Sequence, residues 1–369
     1  MSLRKEFVEL ALREGVNRRA LMRRFEISPT TGYKLLARYR AEGEAGLAER
    51  SRRPHHSPRR TPAALEERVV ALRDAQSAWG GRTLQTRLQT LGYAGVPAPS
   101  TITAILRRHG RAVGERSAPS RPWRRFEAAH PNALWQMDFK GHFGLGSGRC
   151  HPLTVLDDHS RFALGLRACG DERAATVERE LGALFARYGL PERMLTDNGP
   201  PWGNAAGRDR YTKLAVWLIR LGIRVLHGRP YHPQTQGKAE RFHRTVAAEV
   251  LAGQQFRDCR DAQRHFDRWR DVYNTERPHR ALAMQPPISR YAPSPRSLPP
   301  TLPPIEYAPD DDIRRVQWNG EIYLAGHRFR IGKAFHGYPV ALRPTVIDGE
   351  LEVFFCHQRV RRIRLDAPD

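Results

Sequence analysis

The stretch ALWQMDFKGHFGLGSGRCHPLTVLDDHSRFALGLRAC, residues 133–169, decides the fold of this 369-residue chain. It contains three short apolar runs, ALWQMDFKG, HPLTVLDD and RFALGLRAC, and each run is typical of a β-strand. Next, ERAATVERELGALFARYG predicts a helix and ERMLTD predicts a fourth strand. Residues 133–197 therefore predict a sheet with three consecutive strands, then a helix and a fourth strand.

Helices and strands continue to alternate after residue 196. A helix is predicted over Lys213–Leu221, then a short strand IRVLH, then a helix that contains Glu240 and a last helix over Asp261–Tyr273. Three strands followed by alternating helix and strand predict an α/β domain with a mixed sheet. We assign this domain to residues 120–285.

The N-terminal residues have the spacing of helices. Residues 1–50 predict three helices, and the third begins with Ser28 as N-cap and Pro29 in the first helical position. A helix-turn-helix layout places its recognition helix in the DNA major groove. An equally good interpretation is a three-helix bundle with a solvated basic face. In the first interpretation, the residues that face DNA are Thr30, Thr31, Tyr33, Lys34 and Arg38.

Four further segments complete the predicted organisation. Residues 51–61 are a basic linker, and residues 62–115 predict a second helical unit of helix-turn-helix type. Residues 286–309 contain nine prolines in 24 positions, so they predict a semi-rigid spacer. Residues 310–369 combine strand-like runs with Asn-Gly and Asp-Gly turns and predict a small all-β domain, an SH3-like barrel.

Arginine gives the chain a strong positive charge. Lys plus Arg number 62 against 39 Asp plus Glu, a net charge of +23, and residues 1–130 carry +14 of it. Such a balance indicates a polyanionic partner, with the N-terminal third as the first candidate for DNA contact. The four cysteines include no C-x-x-C pair, and we find no signal peptide or membrane span, so we expect a cytosolic protein.

Three carboxylates occupy positions from which their side chains can lie close together. Asp138 lies inside the first predicted strand, Asp197 ends the fourth, and Glu240 begins the helix after the fifth. In an open α/β sheet, the ends of neighbouring strands and the start of a packed helix converge on one edge. Oxygen ligands suit Mg²⁺ or Mn²⁺, and two such ions sharing one carboxylate would activate a hydroxyl and stabilise the leaving oxygen of a phosphodiester.

Glu240 also has an ordinary interpretation. It lies at the flank of the apolar stripe of its helix, and Arg244 is the i+4 partner for a surface ion pair. Taken alone, the helix favours that ion pair. Asp138 changes the balance, because a carboxylate within an apolar strand is costly to bury without a cation.

Five segments, taken in order, resemble a known family. They are LWQMDFKG, VLDDHSRFALG, LTDNGPPWG, HPQTQGKAERFHRT and YNTERPHRAL. They look like the landmarks of the retroviral-integrase-like core of bacterial insertion-sequence transposases of the DDE superfamily. The resemblance implies a ribonuclease H-like fold, two Mg²⁺ or Mn²⁺ ions, cleavage at transposon ends and joining of the freed 3′-hydroxyl to target DNA. By the motif match, Asp138, Asp197 and Glu240 are the triad, with Asp138 as the bridging ligand.

The chain departs from the retroviral pattern in two places. The 42 residues between Asp197 and Glu240 exceed the retroviral spacing, and we assign the extra length to the loop GNAAGRDRY. No cysteine precedes Cys150, so the retroviral zinc-binding N-terminus is missing and helical units take its place. From helix geometry we expect three cations to contact phosphate near the scissile bond: Lys238, Arg241 and Arg244.

Other polar residues have simpler explanations. We expect Asp157 and Asp158 to form a turn with local hydrogen bonds, and His232 to pack in a loop. No phosphate-binding G-x-x-x-x-G-K-[ST] sequence is present, so an ATP-driven motor is not indicated. Four other histidines are scattered along the sequence and define no metal set: His151, His159, His243 and His279.

The sequence therefore predicts a transposase that recognises the terminal inverted repeats of its element through residues 1–115 and inserts them into target DNA. We expect it in the bacterial cytoplasm, associated with the nucleoid, and at least dimeric on DNA, because two ends must be joined. One alternative is a non-catalytic DNA-binding regulator derived from such an enzyme; another is a structure-selective nuclease. The C-terminal domain has three possible roles: binding target DNA, pairing protomers, or packing against the core.

Overall fold

The computed structural model describes residues 3–50, 60–111, 126–203, 209–228 and 237–366. It separates into two compact units, Met1–Thr61 and Pro62–Asp369, and each is described by itself. Most of the predicted linker 51–61, the middle of the GNAAGRDRY loop and His232 lie outside the described residues.

The first unit is a bundle of three helices, α1 (Leu3–Ala11), α2 (Arg18–Arg24) and α3 (Pro29–Glu42). Ser28 caps α3 as predicted, because its hydroxyl accepts a hydrogen bond from the backbone N–H of Thr31 at 3.2 Å. The two last helices approach closely at Gly32, where a Cβ would lie 2.5 Å from the Met22 side chain. The core of the bundle consists of Phe7, Val8, Ala11, Met22, Leu35, Leu36 and Leu47.

The second unit begins with another helical bundle, α4 (Ala63–Ala75), α5 (Gly81–Thr90) and α6 (Pro99–Arg108). It has its own apolar core, which includes Trp79, Leu84 and Ile105, and Val272 from a later helix packs against this core. A hydrogen-bonded ion pair between Arg87 and Glu276 reinforces the contact. This bundle is therefore attached to the α/β part of the same unit.

The central sheet is mixed, as predicted. Its strands are β1 (Trp135–Phe139), β2 (Phe143–Gly144), β3 (Arg149–Asp157), β4 (Ala163–Cys169), β5 (Arg193–Thr196) and β6 (Arg224–His227). β3 pairs antiparallel with β1, β2 and β4, whereas β5 is parallel to both β1 and β6. β6 is an edge strand. The three predicted N-terminal strands correspond to β1, β3 and β4.

Helices cover both faces of this sheet. One face packs on α7 (Ala174–Tyr188) and α8 (Lys213–Arg220). The other packs on α9 (Gly237–Val246), which a π-helical turn extends to Leu251, and on α10 (Cys259–Thr275). Side chains alternate along a strand, so Trp135 and Met137 enter the first core while Asp138 faces α9.

The C-terminal part is all-β, as predicted. Its strands are β7 (Asp312–Arg315), β8 (Glu321–Leu324), β9 (His327–Arg330), β10 (Pro339–Pro344), β11 (Glu350–Phe355) and β12 (Gln358–Arg364). They form a four-stranded and a two-stranded antiparallel sheet. Their buried side chains, such as Phe329, Phe335 and Phe355, belong to the same apolar cluster as the residues of α7 and α8. The C-terminal sheets thus pack against the core.

The proline-rich segment 286–309, which the sequence predicts as a semi-rigid spacer, is bonded to the core. Leu190 donates its N–H to the carbonyl of Arg296 at 2.7 Å, and the Arg296 guanidinium donates to the carbonyl of Pro191 at 2.7 Å. The ring of Tyr291 stacks on Phe162 at 4.0 Å. An extended chain has unpaired backbone groups, and here the core provides their partners.

Gln358 joins the C-terminal sheet to the edge of the central sheet. Its amide oxygen accepts the backbone N–H of Val225 at 2.8 Å, and its amide nitrogen donates to the Val225 carbonyl at 3.0 Å. The same nitrogen lies 3.1 Å from the hydroxyl of Tyr211. The side chain thus bonds the edge strand β6 as a neighbouring strand would.

Among the described residues, no helix has the length and apolar character needed to cross a membrane.

We expect Gln358→Ala to lower the free energy of unfolding by about 2 kcal/mol, because it leaves a buried N–H and C=O of β6 without partners. A urea titration measures this change. Gln317→Ala is the matched control, since Gln317 is exposed on the same domain. Equal stability of the two variants would contradict the assignment of Gln358 as the junction.

Candidate active site

Asp138 and Asp197 lie at the same edge of the central sheet. β1 and β5 are parallel neighbours, with Trp135 opposite Met194 and Gln136 opposite Leu195. Continuing this register by two residues places Asp138 level with Asp197, directly after the end of β5. Glu240 lies in the first turn of α9, the helix that packs over β1. The three carboxylates predicted from the sequence therefore occupy the strand ends and the helix start that the prediction required.

The pKa of Asp138 shows that these carboxylates act on one another. Burial and then the neighbouring charge of Asp197 raise the pKa of Asp138 to about 7, and Glu172 and Glu240 act in the same direction. A hydrogen bond from the backbone N–H of Phe139 opposes them. The site concentrates negative charge in a half-buried place, which favours either a proton or a metal cation.

Asp197 is held by its own turn. Its Oδ1 accepts the backbone N–H of Gly199 at 3.2 Å, and the amide of Asn198 donates to the carbonyl of Gly228 at 2.8 Å. Burial raises the pKa of Asp197, the Gly199 hydrogen bond lowers it, and the charge of Glu172 raises it. The turn sequence Asn-Gly therefore fixes the carboxylate at the rim of the sheet.

Glu240 does not form the surface ion pair that would explain it as an ordinary helix residue. Its side chain is exposed, and among the described residues it has neither an ion pair nor a hydrogen bond. Arg244, its i+4 neighbour, likewise pairs with no described carboxylate. The charge of Glu240 acts on Asp138, so the two residues lie within electrostatic range of each other.

The donor set fits a hard divalent cation. All three predicted ligands provide carboxylate oxygen, and their mutual repulsion is what a cation would relieve. Within the described ranges, however, no group of three or more His, Cys, Asp or Glu side chains lies close enough together to hold a metal ion. The assignment of the three as metal ligands stays a prediction.

Glu172 is a fourth carboxylate that the sequence did not reveal. It lies between β4 and α7, and its Oε1 accepts a hydrogen bond from Nδ1 of His151 at 2.8 Å. Its charge raises the pKa of both Asp138 and Asp197. No motif marks Glu172 in the sequence, because only the packing of β3 against β4 brings it to this edge.

His243 links the helix of Glu240 to the strand of Asp138. Its Nε2–H donates to the hydroxyl of Thr154 at 2.8 Å, and that hydroxyl donates to the backbone carbonyl of Asp138 at 2.9 Å. Burial lowers the pKa of His243 to about 4, and Lys140 acts in the same direction, so the imidazole is neutral at pH 7. A sequence signal existed, since His243 lies one helical turn after Glu240.

Lys238 is engaged within the protein, which corrects the expectation that its ammonium points to DNA phosphate. Its Nζ lies 2.5 Å from Oδ1 and 3.2 Å from the carbonyl of the fully buried Asp158. Asp157 forms the predicted local turn, since its Oδ1 accepts the N–H and hydroxyl of Ser160. Asp158 does not, because its carboxylate needs partners from outside the turn: Lys238, Gln136 and Ala128.

The other predicted DNA contacts remain predictions. Arg241 and Arg244 are exposed on α9, and Thr30, Thr31, Tyr33 and Lys34 are exposed on α3. Arg38 is half-buried, and its guanidinium donates to the carbonyl of Ala48 at 2.8 Å. Arg38 therefore also holds the C-terminal turn of its own bundle in place.

A basic cavity of about 600 Å³ lies between β6 and the C-terminal sheet. His227 lines it, and the Nδ1–H of His227 donates to the backbone carbonyl of Asp197 at 3.1 Å, so one side chain connects the cavity to the backbone of Asp197. One acid lines it, Glu352, which pairs with Arg359 and Arg362. The arginines that line it are Arg210, Arg224, Arg359, Arg361 and Arg362.

Comparisons with protein families match most of the chain. Integrase core domain models match residues 128–233 and 221–287, and the model for the C-terminal domain of IS481 family transposases matches residues 311–368. A helix-turn-helix domain matches residues 3–55 and a homeodomain-like domain matches residues 31–106. The fold and these matches define a DNA-binding protein with an integrase core.

Several curated relatives are bacterial insertion elements or retroviruses. A 39.2 kDa protein of insertion element IS476 from Xanthomonas euvesicatoria is 28% identical over 73% of this chain and 75% of the relative. A 31.7 kDa protein of IS407 from Burkholderia multivorans is 27% identical over 41% of this chain and 52% of the relative. The Gag-Pro-Pol polyprotein of squirrel monkey retrovirus is 34% identical over 31% of this chain, which spans 6% of that polyprotein.

Two solved structures are similar to this chain at low sequence identity. The simian T-cell lymphotropic virus intasome, solved with PP2A regulatory subunit B56 gamma, aligns at 14% identity with a TM-score of 0.40, over 81% of this chain and 96% of that one. The HTLV-2 integrase catalytic core, solved with magnesium, aligns at 14% identity with a TM-score of 0.33, over 45% of this chain and all of that one.

The family and relative matches together give the identification. The chain carries an integrase core domain and the C-terminal domain of IS481 family transposases, and it is similar to proteins of bacterial insertion elements. This confirms the resemblance seen in the five sequence segments.

We expect Thr154→Val to lower the free energy of unfolding by about 1 to 2 kcal/mol, because the Nε2–H of His243 loses its partner and the carbonyl of Asp138 keeps only its backbone partner in the ladder of β1 and β3. Chemical denaturation measures the change. Thr245→Val is the control, since the Thr245 hydroxyl bonds only within α9, to the carbonyl of Arg241. If both variants are equally stable, the hydroxyl of Thr154 does not link helix and strand.

Proposed function

We propose that the chain binds the terminal repeats of its mobile element, cleaves the DNA at the element ends and joins each freed 3′-hydroxyl to target DNA. Asp138, Asp197 and Glu240 hold two Mg²⁺ or Mn²⁺ ions in this proposal, with Asp138 as the shared ligand. The observation that carries it is the placement of these three carboxylates, where the register of β1 and β5 sets Asp138 level with Asp197 and the first turn of α9 places Glu240 over β1. The helix-turn-helix matches support DNA as the substrate.

The joining step is a transesterification. The element's 3′-hydroxyl oxygen forms a bond to a target phosphorus, the bond from that phosphorus to the target's 3′ oxygen breaks, and the hydroxyl proton ends on the leaving 3′ oxygen. One phosphodiester replaces another, so no nucleotide hydrolysis is needed. The absence of a phosphate-binding G-x-x-x-x-G-K-[ST] segment from the sequence agrees with this balance.

The divalent ions, when bound, would activate the attacking hydroxyl and stabilise the leaving oxygen. The protein's own contribution is positioning. The Asn-Gly turn holds Asp197. The hydrogen bonds from His243 to Thr154 and from Thr154 to the carbonyl of Asp138 fix the spacing between the helix of Glu240 and the strand of Asp138. One set of hydrogen bonds thus holds Asp197, and another links the helix of Glu240 to the strand of Asp138.

DNA contacts are distributed over both units in this proposal. The helices of residues 1–115 recognise the terminal repeats, and the basic cavity beside Asp197 attracts the phosphate backbone near the reacting bond. Two element ends must be inserted together, so the protein acts at least as a dimer on DNA. The non-catalytic regulator has no observation in its favour, since all three carboxylates are present in the sequence.

We expect each of three substitutions, Asp138→Asn, Asp197→Asn and Glu240→Gln, to lower the rate at which labelled element ends join a plasmid. Loss of a residue that only supports a metal ligand costs roughly 10- to 100-fold. Loss of a ligand itself should cost more. Binding of the ends should be retained. Single-turnover joining with Mg²⁺ or Mn²⁺, beside a gel-shift assay, measures both.

Glu178→Gln is the matched control, because Glu178 is an exposed carboxylate of the same unit that forms no ion pair with any described residue. Joining by Glu240→Gln at the wild-type rate would remove Glu240 from the site. A wild-type protein that binds ends but joins none of them with either metal would overturn the proposal.

We expect the double substitution Arg210→Gln with Arg224→Gln to weaken binding of any DNA sequence and to reduce the slope of log affinity against log salt by about one for each arginine. Both side chains are exposed, line the cavity and pair with no described carboxylate. Fluorescence anisotropy over a range of salt concentrations measures the slope.

The control for this experiment is Arg260→Gln with Arg268→Gln on α10, since these two exposed arginines lie outside the cavity and their loss gives the same net charge. An equal change of slope in both double variants would mean that DNA responds to overall charge and not to the cavity.

A further inference from the structure

The loop that begins at Asp197 is also a contact surface for the C-terminal domain. It joins β5 to α8, and the structure describes it over residues 197–203 and 209–212. Asp197 has an assigned role in the proposed reaction, whereas the far part of the loop has none.

The first part of the loop packs against the strand of Asp138. Trp202 is 3% exposed, and its ring stacks on Phe139, the residue after Asp138, at 5.6 Å. The backbone N–H groups of Trp202 and Gly203 both bond the carbonyl of Gly199, at 3.0 and 2.9 Å. A displacement of Trp202 would therefore move the turn that holds Asp197.

The two described parts of the loop are bonded to each other. Gly203 and Tyr211 form an antiparallel bridge, and the hydroxyl of Thr212 donates to the carbonyl of Trp202 at 3.3 Å. Whatever fixes residues 209–212 thus also fixes residues 202–203 and, through them, the turn at Asp197.

The C-terminal domain holds residues 209–211 by an ion pair and by packing. The guanidinium of Arg330 donates two hydrogen bonds to the carboxylate of Asp209, at 2.9 and 3.0 Å, and the N–H of Lys333 adds a third at 3.3 Å. The ring of Tyr211 packs edge-on against Phe335 at 5.5 Å, and its hydroxyl meets Gln358. All these partners belong to the C-terminal domain.

The Asp209–Arg330 pair differs from the many surface ion pairs of this chain. The side chains of Arg330 and Asp209 are only 21% and 18% exposed, so solvent screens the pair weakly. Two parallel N–H···O bonds also fix the orientation of both groups. The Arg330 guanidinium also donates to the carbonyl of Asn319, so this side chain is oriented toward the protein and not toward DNA phosphate.

We infer that the C-terminal domain positions Asp197 for the reaction, and that Arg330 is the positioning residue that acts through Asp209. This inference rests on the proposed strand-transfer function. It assigns to the domain a role in the geometry of the active site, carried by a continuous path from Arg330 through Asp209, Tyr211 and Trp202 to the turn at Asp197.

The test compares Arg330→Ala and Asp209→Ala with Arg328→Ala in the full-length protein. Arg328 lies on the same strand as Arg330, is exposed and contacts only the ring of Tyr323 within the hairpin, so its loss removes the same charge without touching the loop. We expect the single-turnover joining rate at saturating DNA to fall on the order of tenfold to a hundredfold in the first two variants and less than about twofold in the third.

Charge separates positioning from DNA attraction. Arg330→Ala lowers the net charge and Asp209→Ala raises it, so an effect through DNA attraction would have opposite signs in the two variants. Positioning predicts the same loss in both, and no further loss when the two are combined, because they break one interaction. Opposite effects, or additive losses, would overturn the inference.

A second readout does not depend on joining. Hydrogen exchange of the backbone amides of Gly199, Trp202 and Gly203 should accelerate in Arg330→Ala and Asp209→Ala but not in Arg328→Ala. Unchanged exchange in the first two variants would overturn the inference even if their activity fell. If wild type joins nothing while exchange follows this pattern, the proposed function fails and the coupling of the domain to the loop stands.

Discussion

The parallel pairing of β1 with β5 is the constraint on which the rest of the structure depends. Antiparallel pairing would put the ends of these two strands at opposite edges of the sheet and separate Asp138 from Asp197 by the length of a strand. Parallel pairing requires a crossover, and β3, β4 and α7 provide it. The register then brings two carboxylates side by side before any ligand contributes energy, and burial together with their repulsion raises the pKa of Asp138.

The sequence predicted those parts of the site that follow from local pattern. The strand of Asp138, the turn after Asp197 and the helix of Glu240 each leave a signal within a few residues, and ordered motifs joined them. Glu172 left no such signal, because its neighbours come from β1 and β5. Likewise, helix geometry showed that Lys238 leaves the core face of α9, but it could not show that the buried Asp158 lies there.

Long-range packing explains the remaining differences. Nine prolines correctly excluded a regular element over most of residues 286–309, yet composition does not say what an extended segment touches, and this one is bonded to the core. The all-β C-terminal domain was visible in its turns and short apolar runs. Its shared apolar cluster with α7 and α8 was not, because residues that face a partner and residues that face their own core have the same composition.

The bond between Gln358 and Val225 has a consequence for assembly. An edge strand with free N–H and C=O groups is a template on which a second polypeptide can add a strand, and β6 is such an edge. Gln358 already fills the hydrogen-bonding positions of Val225 from within the same chain. A second copy of the protein therefore cannot add a strand at Val225 without first displacing Gln358.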